Sequence, residues 1–395
     1  MVDNIEKKIL VREFDEDRDI EMVGKLERNC EVVSKMEVSN SINMTAIGDP
    51  LCRVRFYPLH VMLVAELLEN GDLVGVVRGC IKGVGTGFEE GHVRMGCILG
   101  LRVSPTYRRM GIGLKLVNSV EEWLLRNGAE YTFLATEKTN IASVNLFTLK
   151  CNYVNLSSLL IFVQPICFRA KNLSADVKIE KLHIDQAVSL YKKSQREKKV
   201  YSADIATILK EKLSLGTWVC YYKEDCCINL LGKERTEEIS KAVSSWIIFS
   251  VWNTCETYKL QIRKSHPLWS FHASLRHARE KIFPCLGRPT SDSFQKPIGF
   301  LFLYGLLGEG EKLGELMKSV WSFASKVGRT VKDCRVIITE LGVGDPLVKH
   351  IPQEPSMSRI DDLWYAKKMI HQDGVNGSMV ANGPVANVFV DPRDF

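Results

Sequence analysis

The sequence predicts an α/β protein built on a mixed sheet, with two halves of similar design. Apolar runs of strand length alternate with segments of helical periodicity along most of the 395 residues. This alternation occurs twice, because the strand and helix patterns of the start return after residue 175. The length also favours two domains. We therefore expect one domain over 1–168, a second over 175–370, and a tail over 371–395 that contains one short strand.

The first half reads as strand, helix, hairpin, strand, helix, strand, short helix and strand. The segment KILVREFDEDRDIEMVGKLERNCEVV predicts the opening strand and helix, with Asp15 or Asp17 as the helix N-cap. Two apolar runs around residues 70–72 predict the hairpin. RMGCILGLRVSP predicts the next strand, and the helix that follows ends at Gly128. The last three elements are AEYTFLATE, NIASVNLFTLKCNY and YVNLSSLLIFVQP.

The second half repeats this order. DVKIEKLHIDQAVSLYKKSQ predicts a strand and a helix, TWVCYYKE and SSWIIFSVWNTCETYKL predict strands, and WSFHASLRHAREKIF predicts a helix. KPIGFLFLYGLLGEGEKLGELMKSVWSFASKVG then predicts strand, turn and helix, and DCRVIITELGVGDPL predicts a strand and a turn. The order of elements and the identities between the halves predict an internal duplication. These identities are Leu116 with Leu316, Ser119 with Ser319, Val120 with Val320, Gly128 with Gly328, Thr136 with Thr339 and Glu137 with Glu340.

Composition excludes several classes of protein. Hydrophobic residues make up 45%, charged residues 25%, and the net charge is +6, which permits an acidic partner without demanding one. The 12 cysteines form no C-x-x-C pair, so we expect free thiols and no zinc site. No apolar run approaches about 18 residues, and the first residues lack an apolar signal core. We expect an intracellular location (nucleus or cytoplasm), no membrane partner and no direct nucleic-acid binding, since no such motif is present.

The turn RRMGIG lies at the start of the main helix of the first half. Its two glycines require a local explanation. Glycine costs about 1 kcal/mol in a helix interior relative to alanine. A helix N-terminus has unpaired N–H groups and about half a positive charge, and so binds anions readily. Gly111 and Gly113 leave room for a phosphate, and Arg108 and Arg109 add positive charge. The turn is therefore suited to a pyrophosphate.

At these residues the sequence resembles the GCN5-related N-acetyltransferases (GNAT). Their signature R/Q-x-x-G-x-G/A opens the helix after the fourth strand, and Arg108, Gly111 and Gly113 match it here. The resemblance covers about residues 9–165. A second family block, N-x-x-A/S-x-x-L-Y/F-x-K-x-G-F, reads here as Asn140, Ser143, Leu146, Phe147, Lys150, Asn152 and Tyr153.

Over its full length the chain is similar to the plant Hookless-like N-acetyltransferases, through blocks at Asp345 and Asp361. The resemblance implies the GNAT acyltransferase fold in tandem. In the second half GEGEKL replaces RRMGIG, and Glu309 and Glu311 would repel a pyrophosphate. We therefore predict an active N-terminal copy and a degenerate C-terminal copy, which could wall the cleft, select substrate or recruit partners. Glu340 and Asp345 end the equivalent strand, where a turn with a helix cap is the simpler explanation.

The resemblance implies acetyl-CoA as co-substrate, an amine as acceptor and no metal. The strand CILGLRVSP would splay from YTFLATE, the pantetheine arm would pair with its backbone, and the pyrophosphate would bind amides of the turn. The asparagines would touch the arm from the other side; helix capping also suits Asn140 and can coexist with ligand contact. The implied cofactor-binding residues are Leu101, Arg102, Val103, Arg108, Arg109, Met110, Gly111, Ile112, Gly113, Leu114, Asn140, Ser143, Asn145 and Phe147.

The sequence does not identify which residue acts as the general acid. Many family members have a tyrosine where Phe147 stands, and it protonates the leaving thiolate. General acid catalysis contributes about 10²–10⁴-fold, but a thiol has a pKa of about 8.5, so its anion is already a fair leaving group. Tyr153 or a water held by Ser143 could substitute, although a tyrosine at this place more often caps a core strand.

The sequence also does not identify which residue acts as the general base. The histone-acetylating branch of the family has a glutamate in the middle of the fourth strand, where Cys97 stands here. Glu66 on the hairpin, and Glu89, Glu90 and His92 before the strand, are the other candidates. Cys97 also fits a buried core residue, and each of the others fits a surface charge. The loop GTGFEEGH could instead bind a cationic substrate.

The leading hypothesis is an acetyl-CoA-dependent N-acetyltransferase that acts on a protein lysine, an N-terminus or a small amine. The Hookless-like resemblance implies a regulatory role in hormone-controlled differential growth of plant seedlings. The alternative is a catalytically weak or inactive CoA-binding regulatory or scaffold protein, which the missing tyrosine and the open base favour. A transferase of longer acyl chains is a third hypothesis. Turnover with a panel of amines, compared with binding alone, distinguishes an enzyme from a scaffold.

Overall fold

The computed structural model describes most of the chain: residues 8–34, 42–46, 49–86, 91–166, 174–195, 198, 200–225, 244–262, 298–369, 385 and 387–395. The strands are β1 Ile9–Glu13, β2 Ile42–Ala46, β3 His60–Leu67, β4 Leu73–Thr86, β5 His92–Val103, β6 Tyr131–Glu137, β7 Val154–Pro165, β8 Val177–Lys181, β9 Val200–Ser202, β10 Ser214–Tyr222, β11 Ser245–Asn253, β12 Tyr258–Ile262, β13 Gly299–Gly310, β14 Cys334–Gly342 and β15 Ser358–Lys368. The helices are α1 Glu16–Ser34, α2 Ile112–Arg126, α3 Ile141–Asn145, α4 Ile184–Gln195, α5 Ile205–Lys210 and α6 Leu313–Thr330.

The predicted elements are present wherever the chain is described. Helix α1 begins after Asp15, whose Oδ1 accepts a hydrogen bond from the backbone N–H of Asp17 at 3.0 Å. Asp15 is therefore the cap, because a carboxylate oxygen satisfies a free amide of the first turn. The helix predicted for WSFHASLRHAREKIF lies outside the described residues. None of the described helices is long and apolar enough to cross a membrane.

Thirteen strands form one mixed sheet in the order β1-β3-β4-β5-β6-β15-β7-β14-β13-β11-β10-β8, with β9 added beside β4. Strands β2 and β12 form a separate pair. Neighbours in the large sheet are antiparallel except in two places, β5 with β6 and β13 with β14. The order is symmetric about its middle, since β1, β3, β4, β5 and β6 on one side match β8, β10, β11, β13 and β14 on the other.

The two halves exchange their last strands at the middle of this sheet. Strand β15 comes from the second half of the sequence but lies between β6 and β7 of the first half. Strand β7 in turn lies between β15 and β14. The sheet is therefore continuous across the predicted boundary at 168–175.

The same irregularity occurs in both halves. In β5, Leu99 pairs with Arg78 and Arg102 with Val76, so Gly100 and Leu101 bulge out opposite one residue of β4. In β13, Gly305 and the residue after it bulge in the same way against β11. Both glycines have a left-handed φ, +60° at Gly100 and +62° at Gly305, which favours glycine.

The core is divided between the two faces of the sheet. Helix α2 packs on one face of the first half, and a second apolar layer on the opposite face runs through both halves. The packing of α2 is close because glycines face it. A Cβ at Gly79 would lie 2.6 Å from Cγ2 of Val120, and one at Gly96 would lie 2.9 Å from Leu124.

The described part of the tail is buried against both halves. Val388 forms a single parallel bridge with Val200 where we predicted a short strand. Arg393, 2% exposed, pairs with Asp391 at 2.6 Å and with Asp204 at 2.8 Å. Asp394 accepts hydrogen bonds from Lys82 and Tyr57. The tail thus joins β4 to the helical region after β9.

Candidate active site

A cleft opens between β5 and β6. The two strands pair in parallel only from Met95 opposite Tyr131 to Cys97 opposite Phe133. Beyond this point residues 98–103 and 134–137 do not pair with each other. Ala135 is exposed in a strand whose preceding residues are all buried. The predicted splay is confirmed.

A buried arginine holds the bulge from which the cleft opens. Arg78 is 5% exposed, and its Nε donates a hydrogen bond to the carbonyl of Pro50 at 2.7 Å. Its other nitrogens donate to the carbonyl of Gly100 at 3.5 Å and to Oε1 of Glu27 at 2.7 Å. A Cβ at Gly100 would lie 2.7 Å from this guanidinium. The guanidinium of Arg78 therefore links the bulge at Gly100 to Glu27 of α1.

The glycine turn lies at the wide end of the cleft. Arg109 and Gly111 have left-handed φ values of +65° and +81°, and Gly111 provides no side chain to cap α2. A Cβ at Gly113 would lie 3.5 Å from Leu146 and 3.7 Å from Val103. The start of α2 thus faces the end of β5 and the residue that follows helix α3, and its free amides are available to an anion.

The structure brings together most of the predicted cofactor-binding residues. Arg108 and Arg109 are exposed, and Arg102 and Ser143 are half-buried. Oδ1 of Asn140 accepts a hydrogen bond from the N–H of Ser143 at 3.2 Å, so the capping alternative is confirmed for Asn140, while Asn145 is exposed. Ile112 and Phe147 are buried. The half-buried side chains around the turn are Leu101, Val103, Met110 and Leu114.

Phe147 and Tyr153 pack edge to face, with ring centroids 5.3 Å apart. Tyr153 is 3% exposed, and its hydroxyl lies beside the side chains of Thr132 and Glu121. Burial, and then the nearby Glu121, raise the pKa of Tyr153 well above its usual value. The hydroxyl therefore keeps its proton at neutral pH but gives it up reluctantly, which suits a core residue better than an acid.

Two of the predicted bases lie in surroundings that do not suit a base in the cleft. Glu66 pairs with Arg12 at 2.6 Å and with Arg18 at 2.5 Å. Burial opposes ionisation, but hydrogen bonds from these arginines lower the pKa of Glu66, so this carboxylate is a poor proton acceptor. His92 is exposed and lies five positions before Cys97, roughly 16 Å along β5 on the closed side of the cleft.

Cys97 lies at the vertex of the cleft but is fully buried, opposite Cys80 in the neighbouring strand. It occupies the place of a core residue, as the simpler explanation held. Glu89 and Glu90 lie outside the described residues. Among the candidate bases that the structure describes, none stands free in the cleft.

Two buried carboxyl groups of the second half lie on the strands that follow β6 in the sheet order. Asp362 lies on β15 opposite Glu137, and Glu340 lies on β14 opposite Ile161. Each is 6% exposed. Asp362 has no sequence signal of its own, because only the strand exchange carries it to β6. Asp345 accepts from the N–H of Leu347 at 2.9 Å and so occupies a turn, as expected.

The equivalent turn of the second half is filled by the chain itself. The N–H of Lys312, before α6, donates to Oγ of Ser245 at 3.1 Å. A Cβ at Gly310 would lie 2.3 Å from the carbonyl of Ser244. Glu309 and Glu311 are exposed beside it. Within the described residues, no three His, Cys, Asp or Glu side chains come together as a candidate metal site.

Comparisons with known proteins agree with this geometry. The model of the acetyltransferase (GNAT) family matches residues 28–153. The "Probable N-acetyltransferase HLS1" of Arabidopsis thaliana is 36% identical, over 98% of this chain and 100% of its own length. The "Acetyl transferase GW6a" of rice (Oryza sativa subsp. japonica) is 28% identical, over 98% of this chain and 97% of its own.

Solved structures show the same fold at low identity. N-myristoyltransferase from Saccharomyces cerevisiae, solved with bound myristoyl-CoA, has a TM-score of 0.54 and 11% identity, covering 97% of this chain and 85% of that one. A GCN5-related N-acetyltransferase from Sphaerobacter thermophilus has a TM-score of 0.51 and 9% identity, covering 94% and 99%. With its family motifs, its splayed strands and its full-length relatives, this chain belongs to the GNAT acetyltransferase family and is an N-acyltransferase.

Proposed function

We propose that this protein transfers the acetyl group of acetyl-CoA to an amine, with acetyl-CoA bound in the cleft between β5 and β6. The observation that carries the proposal is the cleft itself, which joins an unpaired strand edge to a glycine turn. Residues 98–103 of β5 face β6 without pairing to it. An extended pantetheine arm can therefore add to this edge as a strand does.

The residues at the wide end of the cleft fit a pyrophosphate. The amides of residues 109–114 lie in the turn and in the first turn of α2, which has no side-chain cap. The exposed guanidinium groups of Arg108 and Arg109 add positive charge, and Gly113 keeps a side chain out of the space beside Leu146. Backbone donors and nearby cations are the usual partners of phosphates at helix N-termini.

Acetyl-CoA supplies an acyl group already activated as a thioester. The chain's contribution is to position it and to manage protons. Phe147 offers no proton, and the buried Tyr153 holds its own tightly. Because a thiolate leaves well without help, we propose a slow enzyme rather than an inactive one. Turnover with a panel of amines separates this enzyme from the CoA-binding scaffold that the missing tyrosine also favours.

We infer that the second half is a degenerate copy of the first. The symmetric strand order, the matching bulges at Gly100 and Gly305, and the parallel pair in each half support a duplication. Ser245 takes the place that an anion would need at the start of α6. The acceptor is an amine of a protein or a small molecule. We propose that its acetylation serves hormone-controlled growth in the nucleus or cytoplasm, as the Hookless-like resemblance implies.

Calorimetric titration of acetyl-CoA tests the proposed site. We expect Gly113→Asp to weaken binding at least 10-fold, because it puts a carboxylate beside the phosphates. Asn118→Asp is the matched control, since it adds the same charge at an exposed position of the same helix. Binding by the wild type and the control but not by Gly113→Asp supports the site. Equal binding by all three, or none by the wild type, rejects it.

A further inference from the structure

A buried arginine lies beside the unpaired stretch of β5. Arg78 is on β4, directly opposite Leu99, and its side chain is 6% exposed. Its neighbours Val77 and Gly79 face α2, so Arg78 points to the opposite face of the sheet. Burying a charge costs free energy unless the charge is paired and hydrogen-bonded. The presence of this arginine in the interior therefore requires an explanation.

The guanidinium of Arg78 joins three segments of the chain. Its Nε donates to the carbonyl of Pro50, ahead of β3, at 2.7 Å. One terminal nitrogen donates to Oε1 of Glu27 on α1 at 2.7 Å, and the other donates to the carbonyl of Gly100 at 3.5 Å. A planar guanidinium presents several donors in fixed directions, which suits such a junction. The position of Gly100 is thereby tied to that of α1.

The contact with Gly100 is close enough to set the shape of the bulge. Gly100 has a φ of +60°, and a Cβ there would lie 2.7 Å from Nη1 of Arg78. A bulge interrupts the hydrogen-bond ladder, and the pairing with β4 resumes only at Arg102 opposite Val76. Residues 98–103 also lack a partner on the side of β6. The guanidinium thus supports the backbone where the sheet supports it least.

A second contact ties the end of the same stretch to α1. Sγ of Cys30 donates to the carbonyl of Val103 at 3.4 Å. Cys30 follows Glu27 by three residues, about one turn of the helix. Arg78 and Cys30 therefore connect Gly100 and Val103 to neighbouring turns of one helix. The edge proposed to pair with the pantetheine arm is positioned by α1 in place of a neighbouring strand.

The second half holds the same bulge without a charge. Ser250 occupies the position of Arg78, since it pairs with the residue before Gly305. The hydroxyl of Tyr191, on α4, shares a hydrogen bond with Oγ of Ser250 at 2.8 Å, and a Cβ at Gly305 would lie 2.6 Å from it. Both side chains are fully buried. A neutral pair is sufficient to hold the bulge, so folding alone does not require a buried ion, whose desolvation is costly.

Resting on the proposed function, we propose that Arg78 is a positioning residue of the acyl-donor site. Through the carbonyl of Gly100 it holds residues 98–103 in the course that lets the pantetheine arm add to them as a strand does. Glu27 keeps the guanidinium in place. In this role Arg78 acts on the acyl donor only through the backbone of β5.

The test compares two probes of the donor site by calorimetric titration of the full chain. Acetyl-CoA would contact both the glycine turn and the edge of β5. Adenosine bisphosphate, the nucleotide part of CoA, has no pantetheine arm and would report on the turn alone. Arg78→Met removes the charge and the donors at similar length. Arg78→Lys keeps the charge, and Glu27→Gln removes the charge of the partner.

Two control variants separate positioning from stability. Ser250→Ala removes the matching bond of the second half, and Arg94→Met removes an exposed arginine of β5 that donates to the carbonyl of Asn127 at 2.9 Å. Ser250→Ala should lower the thermal midpoint of unfolding, because it leaves the buried hydroxyl of Tyr191 unpaired. It should keep the affinity for both probes within about two-fold of the wild type. Arg94→Met should match the wild type in every measurement.

We expect Arg78→Met to bind acetyl-CoA about 10-fold more weakly, because the support of the β5 edge by a charged donor is lost. Its affinity for adenosine bisphosphate should stay within about two-fold of the wild type. Arg78→Lys should recover part of the acetyl-CoA affinity, since an ammonium keeps some of the contacts. Glu27→Gln should lie between the wild type and Arg78→Met.

Unchanged acetyl-CoA affinity in Arg78→Met would overturn the inference. An equal loss for both probes, or the same selective loss in Ser250→Ala, would also overturn it, because either result indicates a general structural effect. If adenosine bisphosphate does not bind to the wild type, Arg78→Lys decides, and no recovery there rejects the inference. If Arg78→Met does not fold, Glu27→Gln decides in the same way. A wild type that does not bind acetyl-CoA would instead reject the proposed function, so the two failures are distinct.

Discussion

At the scale of single residues, the surroundings of an acidic side chain decide its pKa and therefore whether it can act as a base. Glu66 and Asp362 are both acidic residues near the first half of the sheet. Arginines surround Glu66 and keep it ionised, whereas carboxylates and apolar side chains surround Asp362 and favour its protonated form. The residue type alone therefore does not identify a base.

Phe147 allows a direct test of the missing acid. Its ring lies 5.3 Å from Tyr153 at the centroids, and it stands where many family members have tyrosine. We expect Phe147→Tyr to raise kcat for acetyl transfer, by about 10-fold or more if the new hydroxyl protonates the leaving thiolate. Steady-state kinetics at saturating acetyl-CoA measure the change. Phe133→Tyr, on the opposite face of the sheet, is the control, and an unchanged kcat in Phe147→Tyr would show that the leaving group needs no acid.

At the scale of elements, the cleft depends on how closely α2 lies on the sheet. Gly75, Gly79 and Gly96 remove side chains from the strand surface beneath α2. The helix can then present its first turn at the level where β5 leaves β6. The bulge at Gly100, held by Arg78, makes the two strands diverge.

Gly79→Ala tests this packing. The new Cβ would lie 2.6 Å from Val120 and 3.3 Å from Val61, so α2 must shift. We expect a loss of about 1–3 kcal/mol in the free energy of unfolding and weaker acetyl-CoA binding. Urea denaturation with calorimetry checks both. Gly314→Ala in α6 is the matched control, because its Cβ would meet only His350, at 3.8 Å, and alanine favours helix. Equal stability of the two variants would mean that α2 adapts without cost.

At the scale of the whole molecule, the exchange of β7 and β15 makes each half depend on the other. Strand β6 pairs with β15 along its whole length, from Tyr131 to Glu137. The buried tail adds ion pairs between Arg393, Asp391 and Asp204. Removing one partner from such a buried set leaves an uncompensated charge. The two halves thus follow one another in the sequence, but their strands alternate at the middle of the sheet.

This dependence predicts the behaviour of the isolated first half. A fragment of residues 1–168 would leave the β15-facing edges of β6 and β7 unpaired, with buried apolar side chains exposed on both. We expect it to lack cooperative unfolding and to associate, as exposed strand edges do. Circular dichroism during heating and sedimentation, beside the full chain, measure this. A monomeric fragment with a sharp transition would show that β15 is dispensable for folding.

Local patterns were enough to predict the order of strands and helices and a turn suited to a pyrophosphate, whereas the splay of β5 from β6 was expected from the resemblance to the GNAT family. RRMGIG and the helix that ends at Gly128 are contiguous in the chain, and their physics is local: capping, free amides and glycine conformations. The identities between the halves indicated a duplication in the same way. These features could be read from spacing because the interacting groups are neighbours in sequence.

The surroundings of single acidic residues could not be read in this way. Asp362 comes to lie opposite Glu137 only because β15 pairs with β6, more than 200 residues earlier in the chain. The exclusion of Glu66 likewise depends on Arg12 and Arg18, which the fold brings to it. Protonation depends on burial and on nearby charges, and both are properties of residues brought together by folding rather than of any segment of the sequence.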